Sequence, residues 1–177
     1  MKQVTKKIMS IALALIVTFS FLQPLQVSAE ESNTLTTKDF GEPISVTTYE
    51  DEELGCMVTE KIYFMPSTNA RDTSGSGTYR NEKTFTWTSG IVSTYYAQGF
   101  FTWGNGDVEV SDAEGGFLDV PVSCEVSNTK LENGTGRYVG IFNKYAYVTF
   151  SCTVTNPIGL SSDLSVTIRV SESGNQI

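Results

Sequence analysis

Six aromatic side chains fall within seventeen residues: Trp87, Tyr95, Tyr96, Phe100, Phe101 and Trp103. Flat rings with a polar edge stack on sugars and anchor protein interfaces, so this stretch has binding chemistry to offer. The wording Phe-Thr-Trp occurs twice, at Phe85 to Trp87 before Ser89-Gly90 and at Phe101 to Trp103 before Gly104-Asn105-Gly106, and it includes both tryptophans of the chain. Six rings exceed what one inward face can hold, which leaves some for an outer sheet face or a loop end. Trp87, Tyr95, Tyr96, Phe100 and Trp103 are therefore the candidate ligand-binding residues, with Tyr63, Tyr145 and Tyr147 extending an exposed tyrosine row. The competing arrangement is that a second layer covers the cluster as core.

Reactive groups are sparse. The chain has no histidine, which excludes Ser-His and Cys-His mechanisms and removes the commonest zinc ligand. Asp107, Glu109, Asp112, Glu114 and Asp119 cluster beside the aromatic stretch and are the residues that two-carboxylate glycoside hydrolysis or a calcium loop would need. Their spacing matches no EF-hand, and acidic turns collect such residues simply because they are solvated. We read the protein as non-catalytic, with no metal and no cofactor.

The first residues carry Lys2, Lys6 and Lys7, an apolar run from Ile8 to Leu22 and the small-residue site Val27-Ser28-Ala29, the pattern of an export signal. Removing residues 1–29 leaves 148 residues, one domain's worth, in which nine basic residues face twenty acidic ones, a net charge of −11. That charge opposes binding to nucleic acid or to an anionic membrane. A secreted, extracellular product that is off the membrane once mature is the expectation.

Residues 30–41 lack either periodicity and read as a flexible lead-in, so the domain is placed at 42–177. Within it, short runs alternate apolar and polar residues at period two: Ile44 to Tyr49, Leu54 to Phe64, Lys83 to Thr88, Ile91 to Trp103, Val108 to Val110, Leu118 to Val126, Arg137 to Phe142, Tyr145 to Thr155 and Leu164 to Val170. Gly104 to Asp107 forms a tight turn, Asp112 to Gly116 another, and Pro66 to Gly77 and Ser127 to Gly136 read as loops. Pro121 makes the Leu118 to Val126 run an edge or a bulged strand. About nine strands without helical periodicity predict an all-β, two-sheet antiparallel β-sandwich, immunoglobulin-like or jelly-roll-like, with a closed barrel as the alternative.

Cys56, Cys124 and Cys152 all point inward by alternation. An odd count forbids complete pairing within one chain. A Cys124 to Cys152 bridge, with Cys56 free, stands beside three buried thiols.

A Lys-rich export signal followed by one Thr/Ser/Tyr-rich β-domain ending in Ser165 to Val170 (SVTIRV) resembles the small uncharacterised secreted proteins of Gram-positive bacteria. The resemblance implies a β-sandwich and export, and it brings no catalytic residue with it. From the rings comes the functional expectation of a module that binds carbohydrate or protein at the cell surface. The other expectation is an accessory protein or inhibitor acting through a protein partner.

Overall fold

A computed structural model describes residues 40–67, 74–138 and 143–177. These form eight strands: β1 Ser45–Asp51, β2 Cys56–Pro66, β3 Ser74–Trp87, β4 Val92–Gly104, β5 Asp107–Asp119, β6 Glu125–Arg137, β7 Lys144–Thr155 and β8 Ser161–Ser171. β1 to β5 make one antiparallel sheet in chain order and β6 to β8 make a second, the sandwich that the alternation predicts. Both sheets are plain meanders joined by a single crossover between β5 and β6, without the strand exchange of immunoglobulin or jelly-roll connections. The expected export signal, residues 30–39 of the lead-in, positions 68–73 and positions 139–142 lie outside the described residues.

Alternation builds the core. From the larger sheet Val58, Ile62, Phe85, Tyr95, Ala97, Phe101 and Val108 point in, and Ala146, Val148, Phe150, Cys152, Val154, Leu164, Val166, Ile168 and Val170 meet them from β7 and β8. Each large aliphatic or aromatic side chain buried this way stabilises the fold by about 1.5 to 3 kcal/mol. Asn105 and Gly106, both at positive φ, turn β4 into β5 as the Gly104 to Asp107 wording predicts.

Several expected boundaries differ. Of Pro66 to Gly77, read as a loop, Pro66 ends β2 and Ser74 to Gly77 begin β3, because the β4 backbone pairs with them. The Leu118 to Val126 run is not one strand: β5 ends at Asp119, residues 120–124 cross between the sheets, and Leu118 and Val122 are exposed. Pro121, which has no N–H, sits in the crossover, where no ladder bond is asked of it. Ser127 to Gly136, read as a loop, is most of β6, because the β7 backbone pairs it whatever its side chains. Asp112 to Gly116, read as a turn, lies inside β5 around a bulge: Phe100 pairs with Ser111 but Gln98 pairs with Glu114, and Asp112 takes φ 47°. That one extra residue turns Glu114 onto the outer face and Gly115 onto the inner one.

Candidate functional site

The structure disperses the aromatic set. Trp103 pairs with Gly75 at the start of β3, whereas Trp87 closes the far end of the same strand, twelve residues or about 40 Å away. Trp87 stacks on Phe85 with centroids 5.9 Å apart and lines a cleft of about 50 Å³ with Ile91, Cys124, Val154 and Leu160. Trp103 rests on the backbones of Gly75 and Gly174 and tilts against Phe64 and Tyr79. Tyr95 is fully buried core, and Tyr96 and Phe100 face the opposite side of the larger sheet. Trp87, Tyr95, Tyr96, Phe100 and Trp103 therefore make no common platform, because strand alternation and the length of the hairpin send them to two faces and two ends.

Tyr96 belongs to a buried polar layer on the outer face of the larger sheet. Ladder register places Tyr63, Arg80, Gln98 and Glu114 side by side across β2 to β5. The Arg80 guanidinium pairs with Glu82 at 2.8 Å, donates to Gln98 Oε1 at 3.1 Å and lies 4.0 Å from the centroid of Tyr96. Gln98 Nε2 and the Tyr96 hydroxyl donate to the two oxygens of Glu114 at 2.7 and 2.8 Å. Phe40, the penultimate residue of the expected lead-in, is buried against Tyr63 and Arg80. Burial, reinforced by Glu114, pushes the Tyr96 hydroxyl up to about 12. A network with this many mutual partners organises the face rather than presenting it to a ligand.

The carboxylates do not converge either. Asp107 binds Lys144 at 2.8 Å at the hairpin turn, Glu114 is held by Tyr96 and Gln98, and Asp119 lies at the other end of β5. Among the described residues no group of three or more Cys, Asp or Glu could hold a metal ion. Of the two cysteine arrangements the sequence allows, the Cys124 to Cys152 bridge is absent: Cys56, Cys124 and Cys152 are free thiols, with Cys56 and Cys152 buried and Cys124 half-buried. The register explains it: Glu125 pairs with Thr155, three residues and roughly 10 Å along β7 from Cys152, so Cys124 does not stand opposite that thiol.

The arrangement with recognition chemistry is on the outer face of the smaller sheet. Tyr145 and Tyr147 take the outward positions of β7, as alternation predicts, and directly across the ladder stand Gly136 and Gly134 of β6. With no side chains there, the rings spread over the β6 backbone: a Cβ at Gly136 would come 2.5 Å from Tyr145, and one at Gly134 would come 3.4 Å from Tyr147. Tyr138 continues the row, 5.0 Å from Tyr145 between centroids, and Tyr145 lies 6.3 Å from Tyr147. Arg169 of β8 reaches over the Tyr145 ring at 5.7 Å. Three phenol rings, partly open to solvent and flanked by a guanidinium, offer π-faces and hydrogen-bond donors side by side. Tyr145 and Tyr147 are legible in the sequence as a tyrosine row. Tyr138 and the two glycines are not, since the glycines sit in a stretch that reads as loop, and Tyr63 lies buried on the other sheet.

Apolar side chains also gather at one end of the sandwich, around the Trp87 cleft. Val122 in the crossover is 105% exposed, and Ile158 and Leu160 in the β7–β8 turn are 79% and 64% exposed. No protein-family model, no curated protein and no solved structure matches the chain.

Proposed function

We propose that the protein is an exported, non-catalytic binding module whose Tyr138, Tyr145 and Tyr147 row stacks on carbohydrate at the cell surface. The observation that carries this reading is the pair of glycines beneath the rings: with Gly134 and Gly136 opposite them, Tyr147 and Tyr145 lie across β6 and keep ring surface for a ligand. The apolar C–H faces of pyranose rings suit such surfaces, and Arg169 supplies donors for hydroxyl or carboxylate groups. The test is co-sedimentation with insoluble cellulose, chitin and peptidoglycan. Wild type should be retained by at least one of them and Tyr145→Ala released, with unchanged thermal unfolding. Failure of wild type to bind all three, or equal binding by the variant, overturns the reading.

A second reading, an accessory protein acting through a protein partner, is favoured by Val122, Ile158 and Leu160 around the Trp87 cleft. Exposed apolar residues gathered on adjoining turns are more typical of a protein interface than of a sugar site. Under this reading Leu160→Asp abolishes co-purification of a partner and leaves polysaccharide retention as it was.

A further inference from the structure

The two sheets differ in width. β8 packs closest to β3 and β4, and β6 to β5, so among the described residues β1 and the flank of β2 beside it reach past the edge of the smaller sheet, while Cys56, Val58 and Ile62 of β2 stay buried. One to two strands at the usual spacing amount to roughly 5 to 10 Å of overhang. Beneath it a slot of about 470 Å³ runs along Ser161 to Ser165 of β8, roofed by Tyr49, Asp51, Glu53, Leu54, Lys83 and Phe85.

The edge of β8 is managed along only part of its length. At its far end the tail folds back, Ile177 N–H donates to the Arg169 carbonyl at 3.1 Å and Ser171 N–H to the Asn175 carbonyl at 2.8 Å. One step earlier Asn81 Nδ2 donates to the Thr167 carbonyl at 2.7 Å. These contacts fix which residues point their backbone outward: Arg169 and Thr167, and, because β7 and β8 pair without a bulge, Ser165, Asp163 and Ser161 as well. Among the described residues the N–H and C=O groups of Asp163 and Ser165 have no partner on that side, and they open into the slot. A roofed edge is normally paired as well, and among the described residues this stretch is not.

We propose that the open edge of β8 accepts an extended cationic peptide segment of a partner protein as a fourth strand of the smaller sheet. A second copy of this chain does not fit. Pairing β8 with its symmetry mate would drive the β1–β2 overhang of each copy into that of the other, since both occupy the same layer. A single extended segment fills the gap without that clash. Charge selects its composition: Asp51, Glu53 and Asp163 border the slot against one cation, Lys83. Alternate side chains of the added strand face the overhang, where Tyr49, Leu54 and Phe85 take apolar groups, and the intervening ones face outward beside Asp163. An alternation of apolar residues with Lys or Arg meets both demands. The inference stands on the edge and the slot, and does not depend on the tyrosine row.

The experiment uses the whole protein and capped peptides of alternating Val and Lys, alternating Val and Glu, and alternating Val and Lys with every second amide N-methylated. With the Val-Lys peptide, the Asp163 and Ser165 amides should exchange with deuterated solvent about tenfold more slowly, a hydrogen bond's worth of protection. The N-methylated and Val-Glu peptides should bind at least about tenfold more weakly. Ser165→Pro, which removes an outward N–H and no ladder bond, should weaken binding, and so should Glu53→Lys on the slot wall. Equal binding of the N-methylated peptide removes the backbone pairing and overturns the proposal whether or not Ser165→Pro folds. Equal binding of the Val-Glu peptide, protection confined to another edge strand, or a β8-paired dimer in sedimentation likewise overturns it.

Discussion

Gly136 stands directly across the β6–β7 ladder from Tyr145, and a Cβ placed on it would lie 2.5 Å from the Tyr145 ring. The glycine determines how the tyrosine is displayed. Gly136→Val should therefore lift the ring off the backbone and reduce polysaccharide retention about as far as Tyr145→Ala does. Because an exposed ring moves cheaply and valine suits an edge strand, the stability change should stay within about 1 kcal/mol. Retention assays paired with urea unfolding read both effects, and unaltered retention would show that ring posture is irrelevant.

Gly115 presents the opposite case, a close approach between the two sheets. A Cβ there would meet Phe150 Cβ at 2.6 Å and Leu131 Cδ1 at 3.0 Å, and a Cβ anchored to its backbone cannot swing away. Gly115→Val is expected to lower the unfolding free energy by about 1 to 3 kcal/mol in urea titration, with the larger part appearing as faster unfolding if this contact forms late.

Arg80 is fully buried between Phe40 and Tyr96, with Glu82 as its ion partner. Arg80→Met leaves a buried carboxylate without its cation and should destabilise the protein by about 3 to 5 kcal/mol. The double variant with Glu82→Gln should recover part of that loss. Phe40→Ala opens the same layer to water and should cost about 3 kcal/mol. If chains beginning at Glu42 unfold at the same temperature as chains that retain Phe40, this covering role is wrong.

Burial holds the hydroxyls of Tyr95 and Tyr96 up to about 12, against 10 for a free phenol. The folded state therefore keeps protons that the unfolded state releases, so stability is intact below pH 10 and falls as pH rises toward 12, by roughly 2 to 3 kcal/mol per ring. Alkaline unfolding followed by circular dichroism, with phenolate absorbance recorded in parallel, should show these two rings ionising only as the fold is lost. Early ionisation of all eight tyrosines would contradict their burial.

Burial also pushes the Cys152 thiol up to about 11 and raises that of Cys56. Alkylation of the native protein at neutral pH should spare both, since little thiolate exists to react. A separate sample alkylated under denaturing conditions without reductant should take three labels by mass spectrometry, whereas a single label would mean that two of the cysteines are bridged after all.

Much of the sandwich was legible in the chain because strand alternation is a local property. In β7 and β8 every second residue from Ala146 to Val154 and from Leu164 to Val170 is buried, and Asn105-Gly106 turns where its backbone preferences say it should. Tyr145 and Tyr147 were readable as outward residues for the same reason. The rest depended on partners that period two does not encode. Leu118, Val120 and Val122 alternate as well as any strand, yet the chain leaves the sheet at Asp119, and the apolar pattern ends in a crossover. Ser127 to Gly136 has loop composition and becomes β6, because an edge ladder is made by backbone hydrogen bonds and needs only a neighbour to supply them. Which glycine faces which tyrosine, how far β1 and β2 overhang β8, and the setting of Arg80 beneath Phe40 are all consequences of register and sheet width. Those are settled when strands distant in the chain pair and pack, and a one-residue bulge such as the one at Asp112 is enough to change the face that every later side chain occupies.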